Sequence, residues 1–225
     1  MVSISEKEIQ KARTPSDLRQ YCDDLRANAE NDQSERHKSH RRKGDGKLYQ
    51  PYFTEIVPLA LFSSVYYRDI VNIQPVLGNQ QYDAEVQKWD VTFEKIEITK
   101  PHDGKELSDD LNLMADRGYG KSGLDTPLQS LQKLRPFIMK TAEKKAANDY
   151  ASAVLVFVLT YDPPYPPLKE EESIEKLLKE YKQILQSYKY KARKVLMFDV
   201  ISNNFYTVQR GSIIHEILRL FIGKK

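Results

Sequence analysis

The sequence has almost no cysteine and no long apolar run, and each shortage excludes a class of protein. Cys22 is the single cysteine among 225 residues, so no internal disulfide can form and a reducing compartment is expected. No apolar stretch approaches the roughly 20 residues of a membrane span. The N-terminal residues MVSISEKEIQKAR lack the apolar core of a signal peptide. We therefore expect a cytoplasmic protein, from a prokaryote or a phage, that does not enter a membrane.

Several catalytic and binding motifs are missing as well. No G-x-S-x-G sequence occurs, and no Cys–His pairing suggests a nucleophile. The segment GYGKSG at residues 118–123 has the composition of a phosphate loop but lacks G-x-x-x-x-G-K-[ST]. His37 and His40 have no further Cys or His at a zinc-site spacing. These absences argue against serine or cysteine hydrolases, P-loop enzymes and a structural zinc site.

What is present is a well-charged composition with a mild positive excess. Hydrophobic residues make up 40% and charged residues 30%, which is typical of a globular protein. The net charge of +3 is compatible with a polyanionic partner. Residues 36–47 concentrate six Lys or Arg and two His, and we call this segment the basic arm. It is either a solvated linker or an arm that binds nucleic-acid phosphates.

The order of periodic segments predicts an α/β protein. A helix beginning near Thr14 or Ser16 precedes a second helical segment, three short strands and two further helical segments. The apolar run SAVLVFVL, an amphipathic helix, the strand KVLMFDVI and a hairpin follow. We expect a mixed central sheet flanked by helices, with residues 1–47 as a helical and basic extension and 48–225 as the α/β domain. Residues 170–190 also offer a surface for a protein partner or a second copy of the chain.

Two neighbouring strands, QYDAEV and VTFEKIEIT, carry the most informative polar pattern. An antiparallel turn centred on Asp90 brings three pairs together: Asp83 with Glu97, Glu85 with Lys95, and Ala84 with Ile96. The first pair places two acids side by side, which destabilises a sheet. A divalent cation would remove that repulsion, because Mg²⁺ binds through one or two carboxylates plus waters and substrate oxygens. The alternative is an ordinary solvated sheet face.

A third acid opens the apolar stripe of the second helical segment. Glu55 stands four, seven and eleven residues before Leu59, Phe62 and Tyr66, so it shares their helical face. Burying its carboxylate would require a cation, a metal or a hydrogen-bond donor nearby. Alternatively, Glu55 lies in an exposed first turn, where a negative charge favours the helix dipole. Pro58 indicates that this turn is irregular.

These residues together resemble the PD-(D/E)XK nuclease superfamily. Members carry an Asp on one strand of a meander, Glu-x-Lys on the next, and often a Glu on the preceding helix; Asp83, Glu97 and Glu55 match these positions. The resemblance covers roughly residues 48–210, and Glu97-Ile98-Thr99 looks like uncharacterised bacterial members with E-x-T. It implies a restriction-endonuclease-like fold that hydrolyses DNA or RNA phosphodiester bonds with Mg²⁺ or Mn²⁺, bound by these three acids.

The sequence departs from that family at one position. Thr99 stands where the family has a lysine that helps to position the attacking water and stabilise charge on the phosphate. A threonine hydroxyl cannot carry a positive charge. Lys95 on the same strand face, or Lys144 and Lys145 on a later helix, are candidates to replace that lysine. The alternative is an inactive nuclease fold that acts as a nucleic-acid-binding or protein-interaction module.

Overall fold

The computed structural model describes residues 5–31, 48, 52–78, 80–89, 91–102, 125–160 and 171–211, with the backbone alone at 29–31 and 53. The basic arm, with His37 and His40, lies outside these residues, as do the GYGKSG segment and the C-terminal residues 212–225. The described residues form an α/β structure whose six strands are of mixed parallel and antiparallel pairing. The chain forms two compact units: Met1–Ile98 with Gly104–Lys121 and Ile214–Lys225, and Thr99–Asp103 with Ser122–Ile213.

The first unit combines helices with an antiparallel meander. Its helices are α1 (Glu6–Ile9), α2 (Pro15–Asn31) and α3 (Val57–Tyr66), and a π-helical turn (Tyr52–Ile56) leads into α3. Its strands are β1 (Asn72–Pro75), β2 (Ala84–Lys88) and β3 (Val91–Thr99), whose last residue belongs to the second unit. β2 pairs antiparallel with β1 and with β3. α2 packs against α3, so this helix belongs to the unit that contains the hairpin.

The predicted helix near Thr14 is confirmed, and Thr14 rather than Ser16 caps it. The Thr14 Oγ1 accepts a hydrogen bond of 3.2 Å from the Asp17 backbone N–H, and Pro15 is the first helical residue. The predicted apolar stripe is buried where its side chains are described, at Leu18, Tyr21, Cys22 and Leu25. The Thr14 cap therefore sets where α2 begins, and the apolar stripe sets which face of the helix is buried.

The start of α3 is irregular, as Pro58 predicts. Proline has no backbone N–H and its ring crowds the preceding turn, so the regular hydrogen-bond pattern cannot continue through it. The chain instead forms the π-helical turn at Tyr52–Ile56, with Pro58 in the first turn of α3. Leu59, Phe62 and Tyr66 are buried along one face. Glu55 lies in this turn and is half-buried.

The second unit contains a parallel strand pair, an edge hairpin and three helices. The helices are α4 (Pro127–Lys133), α5 (Arg135–Ala147) and α6 (Glu171–Gln186). The strands are β4 (Asp149–Leu159), β5 (Lys191–Asp199) and β6 (Asn204–Gln209). β4 and β5 are parallel, and β5 and β6 are antiparallel. Every residue of β4 from Ala153 to Leu159 is buried, which confirms the prediction of a strand covered on both faces.

The apolar face of α6 is buried within its own unit. Leu178, Tyr181 and Leu185 belong to the core that includes Leu155, Phe157 and Met197. The Tyr181 hydroxyl donates a hydrogen bond of 2.7 Å to the Leu131 carbonyl, which fixes α6 to α4. A protein partner or a second copy bound through residues 170–190 would therefore meet the polar face of α6. No helix in the described part of the chain is long and apolar enough to cross a membrane.

Candidate functional site

The β2–β3 hairpin adopts the predicted register over its acid-bearing part. Ala84 pairs with Ile96 and Glu85 with Lys95, as the sequence predicts. The register shifts by one residue between Val86 and Gln87, so the strands close on a pair formed by Lys88 and Val91. This irregularity affects the tip of the hairpin. The predicted pair of Asp83 with Glu97 lies before the first regular pair, Ala84 with Ile96, and the Asp83 N–H donates to the Ile96 carbonyl instead. Asp90, the predicted turn centre, lies outside the described residues.

Asp83 precedes β2 by one residue, and hydrogen bonds from both its backbone and its side chain hold it in place. Its carbonyl accepts from the Val76 N–H at 2.8 Å, and its own N–H donates to the Ile96 carbonyl at 2.8 Å. Its Oδ2 accepts from the Ile98 N–H at 2.6 Å. The carboxylate thus lies against the β3 segment that carries Glu97.

Glu97 and Thr99 lie two residues apart on β3, and both are largely buried. Their exposed fractions are 8% and 9%. Alternate residues of a strand share a face, so these two side chains share the face of Lys95. The Lys95 Nζ lies 4.2 Å from the centroid of the Tyr82 ring. Lys95 is therefore positioned by an aromatic contact next to its cross-strand partner Glu85, two residues before Glu97.

Glu85 is stabilised in its charged form by several donors. Its carboxylate accepts hydrogen bonds from the Thr92 Oγ1 at 2.7 Å, the Tyr82 hydroxyl at 3.0 Å and the Gln87 Nε2 at 3.3 Å. The Thr92 bond lowers the pKa of Glu85 most, and the bonds from Tyr82 and Gln87 and the charge of Lys95 lower it further. Glu85 is thus an anion whose charge is already stabilised by protein groups.

We expect Thr92→Val to raise the pKa of Glu85 and to lower stability in a pH-dependent way. The native pKa lies below the unfolded value near 4.5, so the ionised group stabilises the fold above that pH. This contribution disappears as pH falls through the native pKa. Titration of Glu85 by NMR, with melting temperatures at pH 7 and pH 3, checks both statements. Thr92→Ser, which keeps the hydroxyl, should behave like the parent; an unchanged Glu85 pKa in Thr92→Val would contradict the assignment.

The two remaining predicted lysines belong to a helix. Lys144 and Lys145 are in the last turn of α5, in the second unit, where cations favour the helix dipole. The Lys145 Nζ is 5.0 Å from the centroid of the Tyr150 ring. The side chain of Lys144 is exposed, and its carbonyl accepts a hydrogen bond of 3.1 Å from the Asn148 Nδ2. The contact of Lys145 with Tyr150 therefore links the end of α5 to the start of β4.

Within the described residues, no group of three or more His, Cys, Asp or Glu side chains is arranged to hold a metal ion. The structure brings Asp83 beside the Glu97 segment, but it does not join Glu55 to them in such a group. A site built on this hairpin therefore rests on two carboxylates. Glu55 remains on the π-helical turn that precedes α3.

The sequence predictions overlooked two ionisable residues of β3 and its end. Glu94 has an exposed fraction of 3%, and the Tyr67 hydroxyl donates a hydrogen bond to its Oε2. Its spacing of two and four residues from Ile96 and Ile98 was a signal that it belongs to the apolar face. Lys100 follows Thr99 directly, and burial lowers its pKa. A desolvated lysine next to E-x-T is a further candidate for the role that the resemblance assigns to a lysine.

A cleft of about 340 Å³ lies in the first unit, beside α2 and α3. Its walls combine basic, acidic and apolar side chains from α2, the π-helical turn and α3: Arg19, Cys22, Asp23, Arg26, Tyr52, Val57 and Leu61. Burial raises the pKa of the Cys22 thiol to about 12, so the thiol stays protonated at neutral pH and is a weak nucleophile. This agrees with the absence of a cysteine-nucleophile pattern in the sequence.

No protein-family model, curated protein or solved structure matches the chain. The roles of the candidate residues therefore rest on the hairpin register, on burial and on the hydrogen bonds described above. The resemblance to the PD-(D/E)XK nucleases stays a prediction drawn from the order and type of residues.

Proposed function

We propose that the chain is a divergent nuclease-like domain of the PD-(D/E)XK type, which hydrolyses phosphodiester bonds of DNA or RNA with Mg²⁺ or Mn²⁺. The observation that carries the proposal is the bond from the Ile98 N–H to Asp83 Oδ2, which fixes one acid beside the strand segment that carries Glu97. Further support comes from the element order of α3, the β1–β3 meander, α5 and β4, which is the order that a restriction-endonuclease-like fold would have.

Two carboxylates are the type and the number of protein ligands that a hard divalent cation such as Mg²⁺ needs. Mg²⁺ typically binds through one or two carboxylates and completes its shell with waters and substrate phosphate oxygens, so a third acid is not required. Asp83 and Glu97 would hold the ion, and Glu55 would complete the set only if substrate or metal draws it in. When bound, such a cation lowers the pKa of its water and neutralises charge on the phosphate.

The remaining residues position groups and supply charge. The Ile98 N–H orients the Asp83 carboxylate, so little reorganisation is needed when a ligand arrives. The Thr99 hydroxyl can hydrogen-bond a phosphate oxygen or a water, but it supplies no charge. A lysine must provide that charge: Lys95 shares the strand face of Thr99, Lys100 follows it, and Lys144 and Lys145 belong to α5. The basic arm would bind flanking phosphates.

The second candidate function is a nuclease fold without catalysis, acting as a nucleic-acid-binding or protein-interaction module. Two observations favour it. Thr99 replaces the family lysine, and the described residues contain no group of three metal-binding side chains. In this case Asp83 would serve mainly to close the strand end through its bond to Ile98. Metal binding and cleavage distinguish the two functions.

We expect millimolar Mg²⁺ or Mn²⁺ to raise the melting temperature, and Asp83→Asn to abolish that rise. An ion tenfold above its Kd stabilises the fold by about 1.4 kcal/mol, or roughly 3–6 °C for a chain of this size. The Asn variant keeps an oxygen that can accept from the Ile98 N–H, so the metal-free protein should not lose stability.

Asp83→Ala is the control variant: it removes the bond to the Ile98 N–H and should melt at a lower temperature than the parent even without metal. Melting curves with EDTA or metal provide the readout.

Nuclease assays on single-stranded and duplex DNA and RNA test the chemistry. Glu97→Ala should abolish both metal-dependent cleavage and metal-induced stabilisation, whereas Glu85→Gln, on the paired strand, should retain both. If Glu97→Ala leaves both properties intact, the hairpin is a solvated sheet face and the nuclease proposal fails. A metal response without cleavage by the parent would support the non-catalytic alternative.

A further inference from the structure

The tip of the β2–β3 hairpin exposes the single tryptophan of the chain. Trp89 is 85% exposed, and the adjacent strand residue Val91 is 63% exposed. Isolated exposed apolar residues are common on protein surfaces. A tryptophan exposed to this extent, however, leaves a large aromatic surface in water. That surface does not contribute to the core and is available for contact with a ligand.

The backbone at Trp89 is also unfavourable for a large side chain. Its φ is 51°, in the left-handed region that glycine, asparagine and aspartate usually occupy in tight hairpins. The side chain at this position is mostly in water, so its burial contributes little to offset the backbone strain. Strained backbone retained together with an exposed functional side chain is a pattern found at binding sites.

A cation accompanies the exposed ring. The Lys88 Nζ lies 4.5 Å from the centroid of the Trp89 ring. An aromatic plane next to an ammonium matches the chemistry of single-stranded nucleic acid, in which each unstacked base adjoins a phosphate. Val91 is the only other exposed large apolar side chain in the described hairpin. That small apolar area is a poor match for a membrane surface or an apolar protein groove, and the chain's net charge of +3 favours a polyanion.

We propose that Trp89 and Lys88 form a stacking site for an unpaired base of single-stranded nucleic acid. The indole ring stacks on the base, and the Lys88 ammonium contacts the adjoining phosphate. This inference rests on the proposed function and deepens it, because it specifies single-stranded or locally unpaired nucleic acid as the preferred substrate. The hairpin tip then holds the strand while the carboxylates at the opposite end of β2 and β3 act on it.

Trp89 reports on its own contacts, because it is the only tryptophan. Titrating the full chain with oligo(dT) in EDTA should quench its fluorescence without any cleavage. Trp89→Ala should weaken binding of a fluorescein-labelled oligo(dT), followed by anisotropy, by roughly 5- to 150-fold. Trp89→Phe should retain much of the affinity. Lys88→Gln should reduce the slope of log affinity against log salt by about 1.

Trp89→Asn separates binding from folding. Asparagine tolerates the left-handed conformation, so this variant should melt at or above the parent temperature and still bind oligo(dT) weakly. Equal affinity of Trp89→Ala and the parent, with no quenching, would overturn the stacking site. A blue shift with phosphatidylserine vesicles but no response to oligo(dT) would overturn it in favour of a membrane contact.

Failure of this site and failure of the nuclease proposal give different results. Asp83→Asn should lose the metal-induced rise in melting temperature, but oligo(dT) in EDTA should still quench its Trp89 fluorescence. That result would support base stacking independently of phosphodiester cleavage. If Trp89→Ala retains both oligo(dT) affinity and metal-dependent cleavage that requires Glu97, only the stacking site is rejected.

Discussion

Val156→Asp should unfold the second unit. Val156 is fully buried in the middle of β4, where it pairs with Leu196 of the parallel strand β5. A carboxylate placed there loses its hydration and gains no partner, at a cost of at least several kcal/mol. That cost is comparable to the whole stability of a typical domain, about 5–15 kcal/mol. Circular dichroism and thermal melts should show loss of cooperative unfolding at room temperature.

Ser152→Asp is the matched control, because it places the same charge on an exposed position of the same strand. We expect it to melt within a few degrees of the parent, since exposed substitutions change stability by about 0.5 kcal/mol or less. A parent-like melt for Val156→Asp would mean that β4 is not covered on both faces.

The parts of the fold that the sequence predicts well are those specified by local patterns. The run from Ala153 to Leu159 has no polar residue, and only a strand buried on both faces needs such a run. The hairpin register follows from side-chain alternation, because a slip of one residue would turn Ile96 and Ile98 towards solvent. The irregular start of α3 follows from the missing N–H of Pro58.

The parts that escaped prediction depend on contacts between segments distant in sequence or on backbone geometry. The Asp83 side chain turns towards the Ile98 N–H, and an alternation pattern specifies a face of the sheet but not a bond to the backbone. The alternation places Glu94 on the apolar face, but not its donor there, Tyr67, which lies 27 residues earlier. The positive φ of Trp89 contradicts the usual preference of that residue, so no propensity scale would place it there.

Glu94 connects the α3 side of the first unit to the strand that carries the candidate site. It shares the face of Ile96 and Ile98 on β3, opposite to the face of Glu97. The Tyr67 hydroxyl, from the residue that ends α3, donates to its carboxylate in a buried setting. A buried polar group depends on its hydrogen-bond donors, because water does not reach it. This bond therefore holds β3 in place behind Glu97.

We expect Tyr67→Phe to destabilise the first unit by about 2–3 kcal/mol, because it removes a hydrogen-bond donor from the buried Glu94 carboxylate. For a chain of this length that corresponds to a fall in melting temperature of roughly 4–12 °C. Adding Glu94→Leu should recover much of the loss, since the double variant removes both polar partners.

Tyr190→Phe is the control: the Tyr190 hydroxyl is buried without a hydrogen-bond partner among the described residues, so its loss should be neutral or stabilising. Equal falls for Tyr67→Phe and Tyr190→Phe in thermal melts would show that the bond to Glu94 contributes nothing.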